Sequence, residues 1–296
     1  MKKFEFNRTS DIWAWFTREL DSFYPEREAH AIAAEVFKRL FDLSPDKRVL
    51  GANQPFPEAS VLQVERALAE LREGMPVQYV TGFCGFLDTD IRVRPGVLIP
   101  RPETEELVVW VVRTLEAGQA NAGKDVSILD LGTGSGCIAI ALARRFPEAR
   151  VQACDMNRET IQLAENNALL NRVNVSFLRL DLLDPAMKWS PEKPVDCIVS
   201  NPPYVRNREK EFMFRNVLDY EPPEALFVPD DDPLLFYKAI SIKAVSWLRP
   251  GGLIFFEINE ALGEETVSLL QSLGFGEVTL KKDFFGKDRF VRGINP

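Results

Sequence analysis

The 296-residue sequence contains a single histidine, His30, and four cysteines that stand far apart without a C-x-x-C pair. Zinc sites are built from clustered cysteine and histidine ligands, so this composition argues against a metal centre. A nucleophilic triad would depend on His30 alone, and the residues around it do not suggest one. We expect the cysteines to be small buried apolar side chains; they are Cys84, Cys137, Cys154 and Cys197.

Long apolar runs and an excess of basic residues are also missing. No segment approaches the roughly 20 apolar residues of a membrane span, and the N-terminus has no signal-peptide core, so we expect a cytoplasmic protein that does not enter membranes. The net charge of −8 argues against stable nucleic-acid binding, which normally needs a basic face. A local basic patch remains compatible with this charge.

The pattern of apolar residues divides the chain into three parts. Residues 1–75 carry apolar side chains at helical spacing and predict a small helical bundle domain. Its aromatic stripe is most simply a core, and a partner-binding face is the alternative. Residues 76–100 predict a β-hairpin that links two domains. Residues 101–296 then alternate between strand and helix patterns and form the third part.

The alternating part predicts an α/β fold. Apolar strands separated by helices favour a doubly wound, Rossmann-like sheet that is mostly parallel, and the last two strands favour an antiparallel C-terminal edge. The predicted strands are 127–130, 150–154, 175–180, 195–200, 253–258, 276–282 and 289–293.

A glycine-rich loop follows the first of these strands and precedes a helix. Glycines allow the backbone to approach a ligand closely, although a purely structural turn is the alternative. The spacing G-x-G-x-G differs from the G-x-G-x-x-G of dinucleotide sites. An acid directly before the loop suits a cationic ligand better than a pyrophosphate. The candidate binding residues are Asp130, Gly132, Thr133, Gly134, Ser135 and Gly136.

Two more acids follow the next two strands. Asp155 is placed to accept both hydroxyls of a ribose. Asp181 can accept from an adenine amine, and Leu182 beside it can cover the ring. Because the carboxyl ends of parallel strands meet at one edge of a sheet, these residues predict one ligand site.

The fourth strand runs into the sequence Asn201, Pro202, Pro203, Tyr204. The prolines stiffen this turn and leave the carbonyl oxygen of Pro202 without a nearby N–H partner. Together with the side-chain oxygen of Asn201 it can accept both hydrogens of a planar NH₂ group. Tyr204 can pack against a flat group, whereas a proline-rich structural turn is the alternative explanation for this motif taken alone.

This ordered set resembles the S-adenosylmethionine-dependent methyltransferases, and the N-P-P-Y form is similar to those that act on planar amides or amines. Further motifs resemble the HemK/PrmC family of protein-glutamine methyltransferases. They are residues 76–82 (P-V-Q-Y-V-T-G), 98–105 (L-I-P-R-P-E-T-E), 221–226 (E-P-P-E-A-L) and 283–293. The resemblance covers nearly all of the chain from about residue 60.

The resemblance implies a site, a cofactor and a substrate. The glycine loop with Asp130 would hold the methionine part of S-adenosylmethionine, Asp155 the ribose and Asp181 with Leu182 the adenine. Asn201 would border the cofactor and, with the Pro-Pro-Tyr that follows it, hold the reacting amide. The substrate would be the glutamine of the Gly-Gly-Gln motif in bacterial peptide chain release factors, recognised by the N-terminal helices. An adenine-specific nucleic-acid methyltransferase is the alternative.

Three features of the sequence leave questions for the structure. Asn259 stands where the family often has glycine, and Leu182 where some members carry an aromatic residue. Arg101 and Glu103 lie on the stiff loop after the hairpin, where they contact either the cofactor or the substrate, or form a structural ion pair.

Overall fold

The computed structural model describes residues 8–118 and 126–296, and they form two compact units. The first runs to Phe83 and includes Phe214–Tyr220. The second comprises Cys84–Met213 and Glu221–Pro296. The domain bounds that the sequence indicates, 1–75, 76–100 and 101–296, stay a prediction.

The first unit is helical, and four of its helices begin at a proline or just after one. The predicted aromatic stripe is its core, because Phe37 is fully buried and its ring contacts those of Trp13 and Phe16 at centroid distances of 5.1 and 5.5 Å. The apolar side chain of Leu62 is 72% exposed and is not part of this core. The helices are α1 (Thr9–Leu20), α2 (Glu26–Phe41), α3 (Pro45–Leu50), α4 (Glu58–Arg72) and α5 (Val77–Thr81).

The predicted hairpin forms over residues 83–92, the middle of the predicted range 76–100. β1 (Phe83–Phe86) and β2 (Thr89–Arg92) pair in a two-stranded sheet. The segment before them, read as extended in the sequence, is helix α5. Pro76 precedes this helix and Gly82 ends it with a φ of 76°. These two residues are a helix start and a helix stop, and they override the β-forming side chains between them.

The second unit carries the alternating pattern. The remaining helices are α6 (Pro102–Gly118), α7 (Cys137–Arg145), α8 (Arg158–Asn171), α9 (Arg215–Tyr220, in the first unit), α10 (Leu235–Trp247) and α11 (Gly263–Ser272). The remaining strands are β3 (Ser127–Leu131), β4 (Arg150–Asp155), β5 (Ser176–Arg179), β6 (Val195–Ser200), β7 (Val205–Arg206), β8 (Phe227–Val228), β9 (Leu248–Glu257), β10 (Gly276–Lys282) and β11 (Asp288–Ile294).

Seven strands form one sheet in the order β10-β11-β9-β6-β3-β4-β5. The pairs from β9 to β5 are parallel, and β11 pairs antiparallel with both β9 and β10. This confirms the predicted fold class. β9 begins at Leu248, five residues before its predicted start, because Asn295 holds this stretch through backbone bonds to Gly251 and Gly252.

The sheet and its covering helices bury a continuous apolar core. Tyr237 of α10 and Phe256 of β9 are fully buried and pack edge to face at 5.3 Å between ring centroids. The four cysteines are buried, as expected. Within the described ranges, no helix has both the length and the apolar character that crossing a membrane requires.

Candidate active site

A cleft opens at the carboxyl ends of the parallel strands. β3 has β4 on one side and β6 on the other, so the chain reverses its winding direction here. Open α/β sheets bind ligands at such points. Eight of the predicted site residues line this cleft: Gly132, Gly134, Asp155, Asp181, Leu182, Asn201, Pro202 and Pro203.

The glycine loop has a backbone that its sequence pattern explains. Gly132, Gly134 and Gly136 have φ values of 74°, 55° and 86°, a region that L side chains rarely adopt. A Cβ on Gly136 would also lie 3.1 Å from the Cβ of Ala164 on α8. The amides of Gly132 and Thr133 donate to the carbonyl oxygen of Cys154 at 3.0 and 2.9 Å, which ties the loop to β4.

Asp130 supports the loop from the core. It is fully buried, and its Oδ2 accepts from Thr133 Oγ1 at 2.6 Å and from the amide of Ala139 at 3.2 Å. Its Oδ1 has no hydrogen-bond partner among the described residues. Burial raises the pKa of this carboxyl from 3.8 to about 7, against the opposing effect of the two hydrogen bonds. Neither Asp130 nor Thr133, Ser135 or Gly136 is among the described residues that line the cleft.

The raised pKa of Asp130 predicts a pH-dependent stability. Because the folded protein binds this proton more tightly than the unfolded chain, its contribution to the free energy of unfolding falls as the pH rises from 3.8 to about 7. We expect a loss of about 2 kcal/mol between about pH 5 and pH 7, measured by native-state hydrogen exchange of β3. Asp130→Asn cannot ionise, so this loss should disappear in it. An identical pH slope in the two proteins would contradict the assignment.

Asp155 joins the loop to the next strand end. Its Oδ2 accepts from the amide of Gly134 and its Oδ1 from the amide of Asn157, both at 3.0 Å. Burial raises the pKa of this carboxyl, although backbone hydrogen bonds oppose the shift. Each oxygen keeps a further lone pair, and the residue lines the cleft. The carboxylate is therefore fixed in place with acceptor capacity to spare.

Asp181 and Leu182 border the cleft beyond the end of β5. Asp181 is exposed, and its Oδ1 accepts from the amide of Leu183 at 2.9 Å, so a local turn holds the carboxylate. Leu182 is only 8% exposed and joins the core cluster of the sheet. This pair offers a polar edge beside an apolar surface.

Asn201 follows β6 and presents its side chain at the cleft. Its Nδ2 donates to Thr104 Oγ1 at 3.0 Å, and this hydroxyl donates to Glu257 Oε2 at 2.6 Å. No described residue donates a backbone hydrogen bond to the carbonyl oxygen of Pro202. The arrangement leaves two oxygen acceptors, Asn201 Oδ1 and the Pro202 carbonyl, on neighbouring residues of one stiff turn.

Tyr204 is not among the described residues that line the cleft. Its hydroxyl donates to Glu257 Oε1 at 3.1 Å, and burial raises its pKa above the ordinary value. Asn259 Nδ2 donates to the Tyr204 carbonyl oxygen at 3.0 Å and to Glu209 Oε2 at 2.8 Å. The asparagine in place of the family's frequent glycine therefore braces this turn. The packing of Tyr204 on a flat substrate stays a prediction.

Arg101 forms a structural ion pair, which is one of the two roles that the sequence indicates for it. Its Nη2 lies 2.6 Å from Glu221 Oε1, and Glu221 Oε2 accepts from the amide of Ile99 at 3.3 Å. Glu221 is buried. It therefore joins the loop before α6 to the segment that carries Pro222 and Glu224, both of which line the cleft.

Sequence reasoning missed several residues that the cleft brings together. Thr104 and Glu257 act behind Asn201, and Met156, Thr160 and Phe236 add to the lining. Thr104 lies within the motif 98–105 that resembles the family, so the sequence contained a pointer to its role. No sequence motif points to Phe236. Among the described residues, no group of three or more His, Cys, Asp and Glu side chains is arranged to hold a metal ion.

The sheet order, the antiparallel end and the glycine loop are those of the Rossmann-like methyltransferase fold. A family model described as "Methyltransferase small domain" matches residues 111–220. Two solved structures share the fold: a methyltransferase from Pyrococcus furiosus (TM-score 0.51, 18% identity, 80% of this chain and 98% of that one), and a 16S rRNA methyltransferase from T. thermophilus in complex with AdoMet and guanosine (TM-score 0.52, 20% identity, 72% and 50%).

Proteins of similar sequence show which family of methyltransferases this chain resembles. A "PrmC N-terminal domain" model matches residues 11–82. Proteins named release factor glutamine methyltransferase are 41% identical in Flavobacterium psychrophilum (94% of this chain, 95% of that one), 38% in Bacteroides thetaiotaomicron (95% and 98%) and 34% in Bacillus subtilis (91% and 93%). The chain belongs to the family of release factor glutamine methyltransferases.

Proposed function

We propose that this protein transfers a methyl group from S-adenosylmethionine to the side-chain amide nitrogen of the glutamine in the Gly-Gly-Gln motif of peptide chain release factors, and so modulates translation termination. The observation that carries the proposal is the pair of oxygen acceptors on Asn201 and Pro202, held at the cleft beside Asp155. Two acceptors on a rigid turn match the two N–H groups of a primary amide.

The residues of the cleft fit S-adenosylmethionine. Asp155 would accept from the ribose hydroxyls, and Asp181 with Leu182 would hold the adenine. Gly132 and Gly134 would pass close to the methionine part, and buried Asp130, whose Oδ1 has no partner among the described residues, lies behind them. When bound, S-adenosylmethionine supplies a methyl group made electrophilic by the positive sulfur.

The work left to the protein is to position a poor nucleophile. The lone pair of an amide nitrogen is delocalised, so Asn201 and Pro202 would hold the NH₂ group with that lone pair directed at the methyl group. Acceptors fixed before the reaction also favour the positive charge that develops on nitrogen. The transfer would form an N–C bond as the S–C bond breaks, which would leave the sulfur as a neutral thioether, and the amide nitrogen would release one proton to water.

The N-terminal helices would recognise the release factor. The model of the PrmC N-terminal domain covers residues 11–82, close to the 1–75 that the sequence indicates as a domain. We propose this region as the substrate-recognition domain and residues 101–296 as the methyltransferase domain.

The test is methyl transfer from labelled S-adenosylmethionine to a purified bacterial release factor and to its Gln→Ala variant at the Gly-Gly-Gln motif. Label on the first and none on the second would establish substrate, reaction and residue together. Equal label on both would mean that another residue is methylated. Label on DNA or RNA only would assign the chemistry to the wrong substrate and overturn the proposal.

A further inference from the structure

A chain of hydrogen bonds runs from the cleft into the core behind Asn201. Asn201 Nδ2 donates to Thr104 Oγ1 at 3.0 Å, and Thr104 Oγ1 donates to Glu257 Oε2 at 2.6 Å. Thr104 and Glu257 are 2% and 1% exposed. Buried polar groups need hydrogen-bond partners, and these two find them in the protein itself.

Glu257, at the buried end of this chain, determines which group donates and which accepts in each hydrogen bond. Burial raises the pKa of Glu257, and its hydrogen bonds with Thr104 and Tyr204 oppose this shift by favouring the ionised form. An ionised carboxylate only accepts hydrogen bonds, so its two oxygens take the hydroxyl protons of Thr104 and Tyr204. A threonine hydroxyl has a single proton, so after donating to Glu257 its oxygen is left to accept. The Asn201 group that faces Thr104 must then be the NH₂, and Oδ1 takes the other corner of the planar amide.

Three regular elements hold the chain in place. Thr104 lies in the first turn of α6, Glu257 is the last residue of β9, and Asn201 directly follows β6. β6 and β9 are parallel neighbours in which Ser200 pairs with Phe256, so Asn201 and Glu257 come next to each other along the same register. The hydroxyl of Tyr237 further donates to the carbonyl oxygen of Glu257 at 3.3 Å.

We propose that Thr104 and Glu257 are positioning residues, which hold the Asn201 amide in the single orientation that presents an acceptor to the substrate NH₂ group. The inference rests on the proposed function, in which that acceptor binds the reacting glutamine. The two ends of an amide have nearly the same shape, so packing alone cannot select one of them. An inverted Asn201 would present NH₂ to NH₂ and would exclude the substrate amide.

The test compares two substitutions at one position. Thr104→Val keeps the shape of the side chain and removes the hydroxyl, whereas Thr104→Ser keeps the hydroxyl. With release factor as substrate, we expect kcat to fall about tenfold in Thr104→Val and to stay within about twofold of wild type in Thr104→Ser. The Kd of S-adenosylmethionine should change less than about threefold in both, because Thr104 is not a cleft-lining residue.

A second readout does not depend on activity. The ¹⁵N side-chain amide resonance of Asn201, assigned by its loss in Asn201→Ala, should exchange with solvent slowly in wild type and in Thr104→Ser, and clearly faster in Thr104→Val. If wild type methylates no release factor, the proposed function fails while this measurement still decides the inference. Equal exchange and equal kcat in all three proteins, or equal impairment of both variants, would overturn it.

Discussion

Replacing Asn201 by alanine is expected to lower kcat for release-factor methylation by about 10²- to 10³-fold. The substitution removes the Oδ1 acceptor, so the substrate amide keeps only the carbonyl oxygen of Pro202 and loses its fixed orientation. Amide nitrogen is a poor nucleophile, and misalignment therefore affects the chemical step directly. Single-turnover kinetics with saturating S-adenosylmethionine measure that step.

Cofactor binding should survive this substitution. Asp155 and the glycine loop are tied to each other and to β4 without help from Asn201, so the Kd of S-adenosylmethionine should change by less than about threefold. Asn174→Ala, at an exposed asparagine of the same unit, is the matched control and should leave both constants unchanged. Loss of cofactor binding in Asn201→Ala would contradict a role in orienting the substrate.

Sequence reasoning reached the parts of the site that local patterns encode. The G-x-G-x-G spacing matches three left-handed glycines, and the acids at strand ends follow from the meeting of those ends at one sheet edge. It could not find contacts that join distant parts of the chain. Thr104 lies 97 residues from Asn201 and 153 from Glu257, and only the folded sheet brings them together.

The sequence pattern did not predict helix α5 or the partner of Arg101. Helix α5 was read as extended because Val77, Tyr79 and Val80 favour strands, while Pro76 and Gly82 decided the local structure. Arg101 stayed ambiguous because its partner Glu221 lies 120 residues later. Composition and periodicity report on the burial of an element, whereas the partner of a polar side chain depends on tertiary position.

Replacing Asp155 by alanine is expected to raise the Kd of S-adenosylmethionine about 100-fold. The carboxylate would accept two hydrogen bonds from the ribose, and hydrogen bonds to a charged group contribute about 1.5–3 kcal/mol each. Asp155 also accepts from the amides of Gly134 and Asn157, so its loss loosens the glycine loop as well. Isothermal titration with S-adenosylmethionine measures the change.

Asp155→Asn keeps the side-chain shape but removes the charge and one of the two acceptor oxygens, so it should lose only part of both contributions. We expect this variant to bind about tenfold more weakly than wild type, between wild type and Asp155→Ala. At saturating cofactor the kcat of both variants should stay within a few-fold of wild type, since Asp155 would touch the ribose and not the reacting amide. An unchanged Kd with a strongly reduced kcat would show that Asp155 acts in the chemical step and not in cofactor binding. That result would overturn the proposed roles, in which Asp155 binds the cofactor and Asn201 orients the substrate amide.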